Sequence, residues 1–144
     1  MTSNHNGKRH GIETGILSEW IVVIALIRLF RKGVIKFDRI IPVGLISQGV
    51  IPHRKKERAI ALVLDGRGID ILVQRGEEFT IVQVKTRPAA LKNPRDPKIL
   101  LVATNLGRSR ETKTPSKCLS GVEEQLIRIF GEAKWKRLPE ATIL

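Results

Sequence analysis

Cysteine is almost absent from this 144-residue sequence, and histidine is scarce. The single cysteine, Cys118, excludes an intrachain disulfide and every zinc site built from several cysteines. His5, His10 and His53 lack the spacing of metal ligands. A chain without disulfides suits a reducing compartment, so we expect a cytoplasmic protein.

Aromatic residues and long apolar runs are also rare. Aromatics make up 4% of the chain and tyrosine is absent, which disfavours a protein that binds single strands mainly by stacking bases on aromatic rings. The longest apolar stretch, residues 16–30, is interrupted by Ser18, Glu19 and Arg28, and it is shorter than the ~20 residues of a membrane-spanning helix. We therefore expect a buried helix there and no membrane partner.

Acidic residues are the third deficiency, since 14 Asp and Glu face 26 Lys and Arg and leave a net charge of +12. A polyanion is the natural partner, because neutralising phosphates releases condensed counterions. We expect DNA, and with it an association with the nucleoid. Three basic clusters outside the apolar segments are the predicted contacts, and such contacts position DNA without reading its sequence. They are Arg54, Lys55, Lys56 and Arg58; Arg87, Lys92, Arg95 and Lys98; and Arg108, Arg110, Lys113 and Lys117.

The order of hydrophobic patterns predicts one α/β domain. Apolar residues at helical spacing predict helices over 15–32 and 119–130. Strand-like runs occupy 59–64, 69–73, 79–86 and 99–104, and one or two short strands are expected within 34–51. We expect a mixed central sheet flanked by helices over residues 15–133, preceded by a flexible basic arm (1–14) and followed by a basic tail (134–144).

One end of the predicted hairpin over 69–86 carries polar residues on an otherwise apolar face. A two-residue turn at 76–77 places Asp70 opposite Gln83, and the alternation of side chains adds Lys85 to the same face. Burying Asp70 near Lys85 is unfavourable unless the two pair or bind something. The pattern therefore favours either an ion pair at the sheet edge or a site.

Two further acids need an interpretation. Glu19 lies near the start of the first predicted helix, where the macrodipole favours an acid, but it also shares a stripe with apolar residues that we expect to be buried. Burial without compensation would be unfavourable, which favours a functional role. Asp65 stands in the turn-like sequence Asp-Gly-Arg-Gly and is interpreted as a turn residue.

These residues together resemble the PD-(D/E)XK nuclease superfamily, whose core is a helix followed by a hairpin that carries an Asp and then an (Asp/Glu)-x-Lys. Asp70 matches the first acid, residues 83–85 (Gln-Val-Lys) match the second half, and Glu19 matches the helix acid of many members, as in archaeal Holliday junction resolvases. The resemblance covers roughly residues 15–104. Gln83 stands where the family has an acid, and Ile69 stands where it has the namesake Pro.

The resemblance implies a Mg²⁺-dependent DNA endonuclease, with Mn²⁺ able to substitute, that leaves a 5′-phosphate. Asp70, Glu19, the amide of Gln83 and the carbonyl of Val84 are then the metal ligands, and Lys85 orients the attacking water or stabilises developing charge. A junction-resolving enzyme and a homing or restriction-like enzyme both fit, and a homodimer is expected because a duplex has two strands. The alternatives are a nucleic-acid-binding module that keeps the fold without the chemistry and, more remotely, a protein that coats DNA or builds a ribonucleoprotein.

Overall fold

A computed structural model of the chain describes residues 3–66, 68–86, 99–104, 106, 115–131 and 135, with the side chains of 3–14, 99–100 and 115–116 left out. Four helices and four strands occupy these ranges. In chain order they are α1 (Ser3–Arg31), β1 (Arg39–Ile41), α2 (Val43–Ser47), α3 (Lys55–Gly66), β2 (Ile71–Arg75), β3 (Glu78–Lys85), β4 (Ile99–Ala103) and α4 (Pro115–Gly131).

The four strands form one mixed sheet in the order β1-β2-β3-β4. The first two pairings are antiparallel and the third, between β3 and β4, is parallel. The hairpin register is the predicted one, because Arg75 pairs with Glu78 across a two-residue turn and Ile71 pairs with Val82. Gly76 occupies the first turn position with a φ of 62°, a left-handed conformation that glycine adopts without strain.

Helices cover both faces of the sheet. On one face, α1 and α4 bury residues such as Leu26 and Leu126 against Val82 of β3. On the other face, α2 and α3 pack against the sheet through residues such as Ile46 and Leu64. Each fully buried aliphatic side chain contributes about 1.5–3 kcal/mol relative to an exposed one. The predicted fold class, a single α/β domain with a mixed sheet flanked by helices, is confirmed.

Helix α1 is longer than the sequence pattern indicates. It ends as predicted, with Arg31 in the last turn and Gly33 at a φ of 74°, and the N–H of Val34 donates to the carbonyl of Leu29. It begins at Ser3, however, so the segment interpreted as an arm has a helical backbone from that residue. That this segment is mobile stays a prediction. Of the basic tail predicted over 134–144, only residue 135 is among the described residues.

The strand predicted over 59–64 is wrong. These residues belong to α3, in which Ala61 and Leu64 are buried and Leu62 and Val63 are exposed. A short apolar run fits a strand and a helix equally well, and here the preceding charged residues continue the same helix. The short strand expected within 34–51 is β1, and it is followed by the short helix α2. Among the described residues, no helix is long and apolar enough to cross a membrane.

Candidate metal centre

Three carboxylates from three separate elements meet beside the open end of the β2–β3 hairpin. Glu19 comes from α1, Asp65 from the last turn of α3, and Asp70 from the residue just before β2. One oxygen of each lies within 4.8 Å of the other two, and all three residues are partly buried. Three like charges this close repel one another strongly unless protons or a cation neutralise them.

Glu19 is the least satisfied member of this acidic cluster. Its Oε2 is shielded from solvent and has no hydrogen-bond partner among the described residues. Burial raises the pKa of Glu19 to about 8, and the charges of Asp70 and Asp65 act in the same direction. The carboxylate lies over the backbone of Gly44 in α2, where the Cβ of any other residue would overlap it. A larger residue at position 44 would therefore push the Glu19 carboxylate out of this position.

Asp70 is held rigidly by the backbone. Its Oδ2 accepts a 2.7 Å hydrogen bond from the N–H of Val84, and its own carbonyl accepts one from Gly44. Burial raises the pKa of Asp70 to about 6, while the Val84 hydrogen bond opposes the rise. Asp65 raises that pKa further, both through its charge and through a hydrogen bond to the Asp70 carboxyl, whereas Lys85 lowers it. The carboxylate is thus fixed in place between an anion and a cation.

Asp65 is the residue that sequence reasoning missed. The structure places it in α3 rather than in a turn, and its Oδ2 accepts a 2.6 Å hydrogen bond from the buried hydroxyl of Ser47 in α2. The carbonyl of Ser47 in turn accepts a hydrogen bond from Nε of Arg58, which lies about two turns before Asp65 in α3. The available signal was an acid at the end of an apolar run, five residues before Asp70. The two glycines that follow it made the segment look like a turn.

Gln83 and Lys85 complete the same end of the hairpin. The register that pairs Ile71 with Val82 puts Gln83 opposite Asp70. The amide nitrogen of Gln83 lies 3.0 Å from where a Cβ on Gly68 would be, so that side chain packs over the glycine. Lys85 is two residues further along β3, and its carbonyl accepts a hydrogen bond from Thr104. Glu19, Asp70, Gln83 and Lys85, which the sequence predicted as one site, lie at one end of the hairpin, and Asp65 joins them.

The donor set suits a hard divalent cation. Carboxylate oxygens are the ligands that Mg²⁺, Mn²⁺ and Ca²⁺ prefer, and three of them converge here from elements that the fold holds in place. The unsatisfied Oε2 of Glu19 is a free acceptor. Binding a cation would displace the proton that the raised pKa of Glu19, about 8, retains near neutral pH, and below pH 6 that of Asp70 as well. The cluster is therefore compatible with metal binding, and its chemistry alone does not select one metal.

The predicted DNA contacts divide into two groups. Arg54, Lys55, Lys56 and Arg58 are exposed at or just before the start of α3, and Lys117 is exposed in α4. Because α3 rises 1.5 Å per residue, its first cations lie about 10–15 Å from Asp65 in the last turn. The remaining predicted contacts lie outside the described residues: Arg87, Lys92, Arg95, Lys98, Arg108, Arg110 and Lys113.

Comparison with known proteins adds no assignment. No family model matches the chain, and no curated protein or solved structure matches it either. The resemblance to PD-(D/E)XK nucleases therefore stays a prediction that rests on the residues of this chain.

Proposed function

We propose that the protein is a metal-dependent nuclease that hydrolyses phosphodiester bonds in DNA. The observation that carries this proposal is the convergence of Glu19, Asp65 and Asp70, next to the hairpin end that bears Lys85. Structural ion pairs need one acid for each base, whereas this site has three acids around one position. An excess of buried acid is what a divalent cation neutralises.

Each side chain has a role in this proposal. Asp70, Glu19 and Asp65 hold a divalent cation, Mg²⁺ or Mn²⁺, and the amide oxygen of Gln83 and the carbonyl of Val84 are further oxygen donors. The cation supplies Lewis acidity and lowers the pKa of a bound water. Lys85 orients the attacking water and stabilises negative charge that develops on the phosphate. Asp65 thereby supplies the acid that a PD-(D/E)XK motif carries at the position of Gln83.

DNA is the proposed substrate because of the charge and its placement. The chain carries +12, and α3 has its exposed cations at one end and Asp65 at the other. A phosphate backbone lying along α3 would pass from those cations to the acidic cluster. By resemblance, a junction-resolving or a homing or restriction-like endonuclease fits, acting as a homodimer in the cytoplasm near the nucleoid.

Gln83 favours a second candidate, a DNA-binding module without catalytic activity. A neutral amide contributes no charge toward holding a cation, so losing the acid at this position weakens a metal site. This candidate requires that Asp65 does not replace the missing charge.

The first experiment is a cleavage assay on plasmid, single-stranded and four-way-junction DNA with Mg²⁺, Mn²⁺ or EDTA. We expect metal-dependent cutting that is lost in Lys85→Ala and Asp70→Asn while DNA binding persists. The matched control is Lys32→Ala at the end of α1, about 20 Å from Glu19 by helical rise, which should cut normally. Tight binding without cutting on every substrate and with either metal would reject the nuclease in favour of the binding module.

A further inference from the structure

A groove of about 440 Å³ opens at the other end of the hairpin, away from the acidic cluster. It lies between the 76–77 turn, the segment after α1 and the end of α4. Two cations, two aromatic rings and several aliphatic side chains line it. They include Lys36, Arg75, Phe130, Trp135, Val34 and Ile127. A volume of this size accommodates one ring with a charged group attached.

Arg75 and Trp135 form a flat cationic platform in this groove. The guanidinium carbon of Arg75 lies 4.3 Å from the centroid of the Trp135 ring, and the Phe130 ring packs 5.8 Å from that indole at an angle of 56°. The side chain of Arg75 is 50% exposed, and the nearest carboxylate among the described residues, that of Glu78, is 4.0 Å away. An exposed ion pair at this distance contributes little to stability and holds Arg75 only weakly. The indole therefore holds the guanidinium close to its ring, and the half-exposed Arg75 side chain keeps N–H groups available to a ligand.

The cations of the groove are only weakly compensated among the described residues, because Arg75 has just the loose pair with Glu78. Lys36 is exposed and has no carboxylate partner in the part of the chain that the structure describes. Of the described residues that line the groove, none is acidic. A ligand with a planar ring and an anionic group matches this surface, because rings stack on aromatic and guanidinium planes and phosphates bind Lys and Arg.

We propose that this groove binds one unpaired nucleotide of a DNA strand, with the base on the Arg75–Trp135 platform and the phosphate beside Lys36. Naming the strand as DNA rests on the proposed function. A second copy of this chain is a poor occupant, because it would bring another +12 charge to a cationic groove. One such platform is also consistent with the low aromatic content, since a single nucleotide needs a single stacking surface.

The distance between groove and acidic cluster specifies the substrate further. Strand β2 runs from just after Asp70 to Arg75, about 17 Å at 3.4 Å per residue. Helix α1 gives a similar separation, about 18 Å from Glu19 to Arg31. A stacked strand spans that distance in about five nucleotides. Because the groove lies on the α1 and α4 face of the sheet, this is a minimum, and a strand bound at both places would carry its unpaired nucleotide five or more positions from the scissile phosphate, as in a branched or gapped DNA.

Fluorescence of Trp135 tests the groove without any requirement for cleavage. The chain has two tryptophans, so Trp20→Phe leaves Trp135 as the only reporter. In EDTA, titration with a ten-nucleotide oligothymidylate should quench Trp135 saturably. Arg75→Gln should weaken this binding at least tenfold. The matched control, Arg128→Gln, removes an equal charge at the same end of α4 without lining the groove, and it should weaken binding less than threefold. If Trp20→Phe does not fold, the same pair of variants is compared by anisotropy of a labelled oligonucleotide.

The other outcomes each decide the matter. Equal losses in Arg75→Gln and Arg128→Gln would overturn the groove as a specific site. Quenching by inorganic phosphate alone, or thymidine monophosphate binding as tightly as the oligonucleotide, would overturn the assignment to a DNA strand. The titration contains EDTA, so its result does not depend on cleavage. If the protein cuts no DNA in the cleavage assay but Arg75→Gln still weakens binding, the proposed nuclease is rejected and the groove remains a nucleotide site.

Discussion

Glu19 and Asp70 hold protons more tightly than ordinary carboxyls. Their pKa values are raised to about 8 and about 6, in each case first by burial. At pH 7 and without metal, the acidic cluster therefore retains about one proton, chiefly on Glu19. Protons and a divalent cation are alternative ways to neutralise the same oxygens, so metal binding and pH are coupled at this site.

The metal-free protein should lose stability as pH rises from about 4.5 to about 8. Folding raises the pKa of Glu19 from 4.5 to about 8, so in this range the native state binds more protons than the unfolded chain. The stability is fully present below pH 4.5 and lost through pH 8. We expect a loss on the order of 2 kcal/mol, or about 6 °C in melting temperature, after allowance for solvent that reaches the site.

Thermal unfolding in EDTA at pH 5, 6, 7 and 8 measures this. Glu19→Gln should abolish the loss of stability above pH 6, where Glu19 titrates. The remaining loss, below pH 6, is the part due to Asp70. Added Mn²⁺ should raise the melting temperature more at pH 8 than at pH 6, because fewer protons compete. A metal-free melting temperature that rises steadily from pH 5 to pH 8 would contradict the linkage.

Asp65 is predicted to compensate for Gln83. We expect Asp65→Asn to weaken Mn²⁺ binding at pH 8 at least tenfold, because one of three carboxylates is lost. Gln83→Glu in the same chain should restore part of the affinity, because it returns an acid opposite Asp70. Isothermal titration calorimetry measures both. Glu78→Gln removes an exposed acid at the far end of the hairpin and is the control. If Asp65→Asn binds Mn²⁺ as that control does, Asp65 is not a ligand.

Elements bring together residues that are far apart in the sequence. The acidic cluster exists because α2 lies between α1 and β2 and approaches both closely. Gly44 makes this possible, since its backbone N–H donates to the carbonyl of Asp70 and its missing Cβ leaves room for Glu19. A residue with no side chain therefore sets the geometry of two carboxylates.

Gly44→Ala should abolish metal binding with little loss of stability, because only the end of the flexible Glu19 side chain has to move. The added methyl would occupy the position of the Glu19 carboxylate and displace it. Gly15→Ala is the control, because a Cβ at that position in α1 meets nothing within 4 Å, and it should stabilise the helix by roughly 0.5–1 kcal/mol. Mn²⁺ titration and thermal melts measure both. In a Glu19→Ala chain, Gly44→Ala should cause little further loss of Mn²⁺ affinity. An equal loss of affinity in that chain would reject the overlap with Glu19 as the cause.

The sequence predicted elements where local chemistry decides the conformation. The turn at 76–77 determines the pairing of β2 with β3, and hence the positions of Asp70, Gln83 and Lys85. The prediction from sequence was wrong for α3, because the apolar run over 59–64 has no periodicity that distinguishes a strand from a helix. That error concealed Asp65 as well. Whether Asp65 is a turn residue or a site residue depends on α3 packing beside α2, a contact that no local pattern encodes.

The whole molecule combines a cationic exterior with a small anionic centre. The net charge of +12 attracts DNA over long distances, while the acidic cluster repels phosphate unless a cation is bound. DNA binding and metal binding should therefore be separable. In EDTA, Asp70→Asn should bind DNA at least as tightly as the native chain, because it removes a negative charge near the phosphate path.

Salt dependence identifies which cations touch the backbone. Each neutralised phosphate contributes about −0.9 to the slope of log K against log salt, so replacing Arg54, Lys55 and Lys56 with Gln should reduce the slope by about 2.7. The control replaces three exposed arginines outside α3 (Arg31, Arg39 and Arg128) and should change the slope less. Fluorescence anisotropy between 50 and 200 mM salt measures both slopes. Equal slopes in the two variants would mean that DNA does not lie along α3. The proposed DNA path from those cations to Asp65 would then be rejected, even if the acidic cluster binds metal.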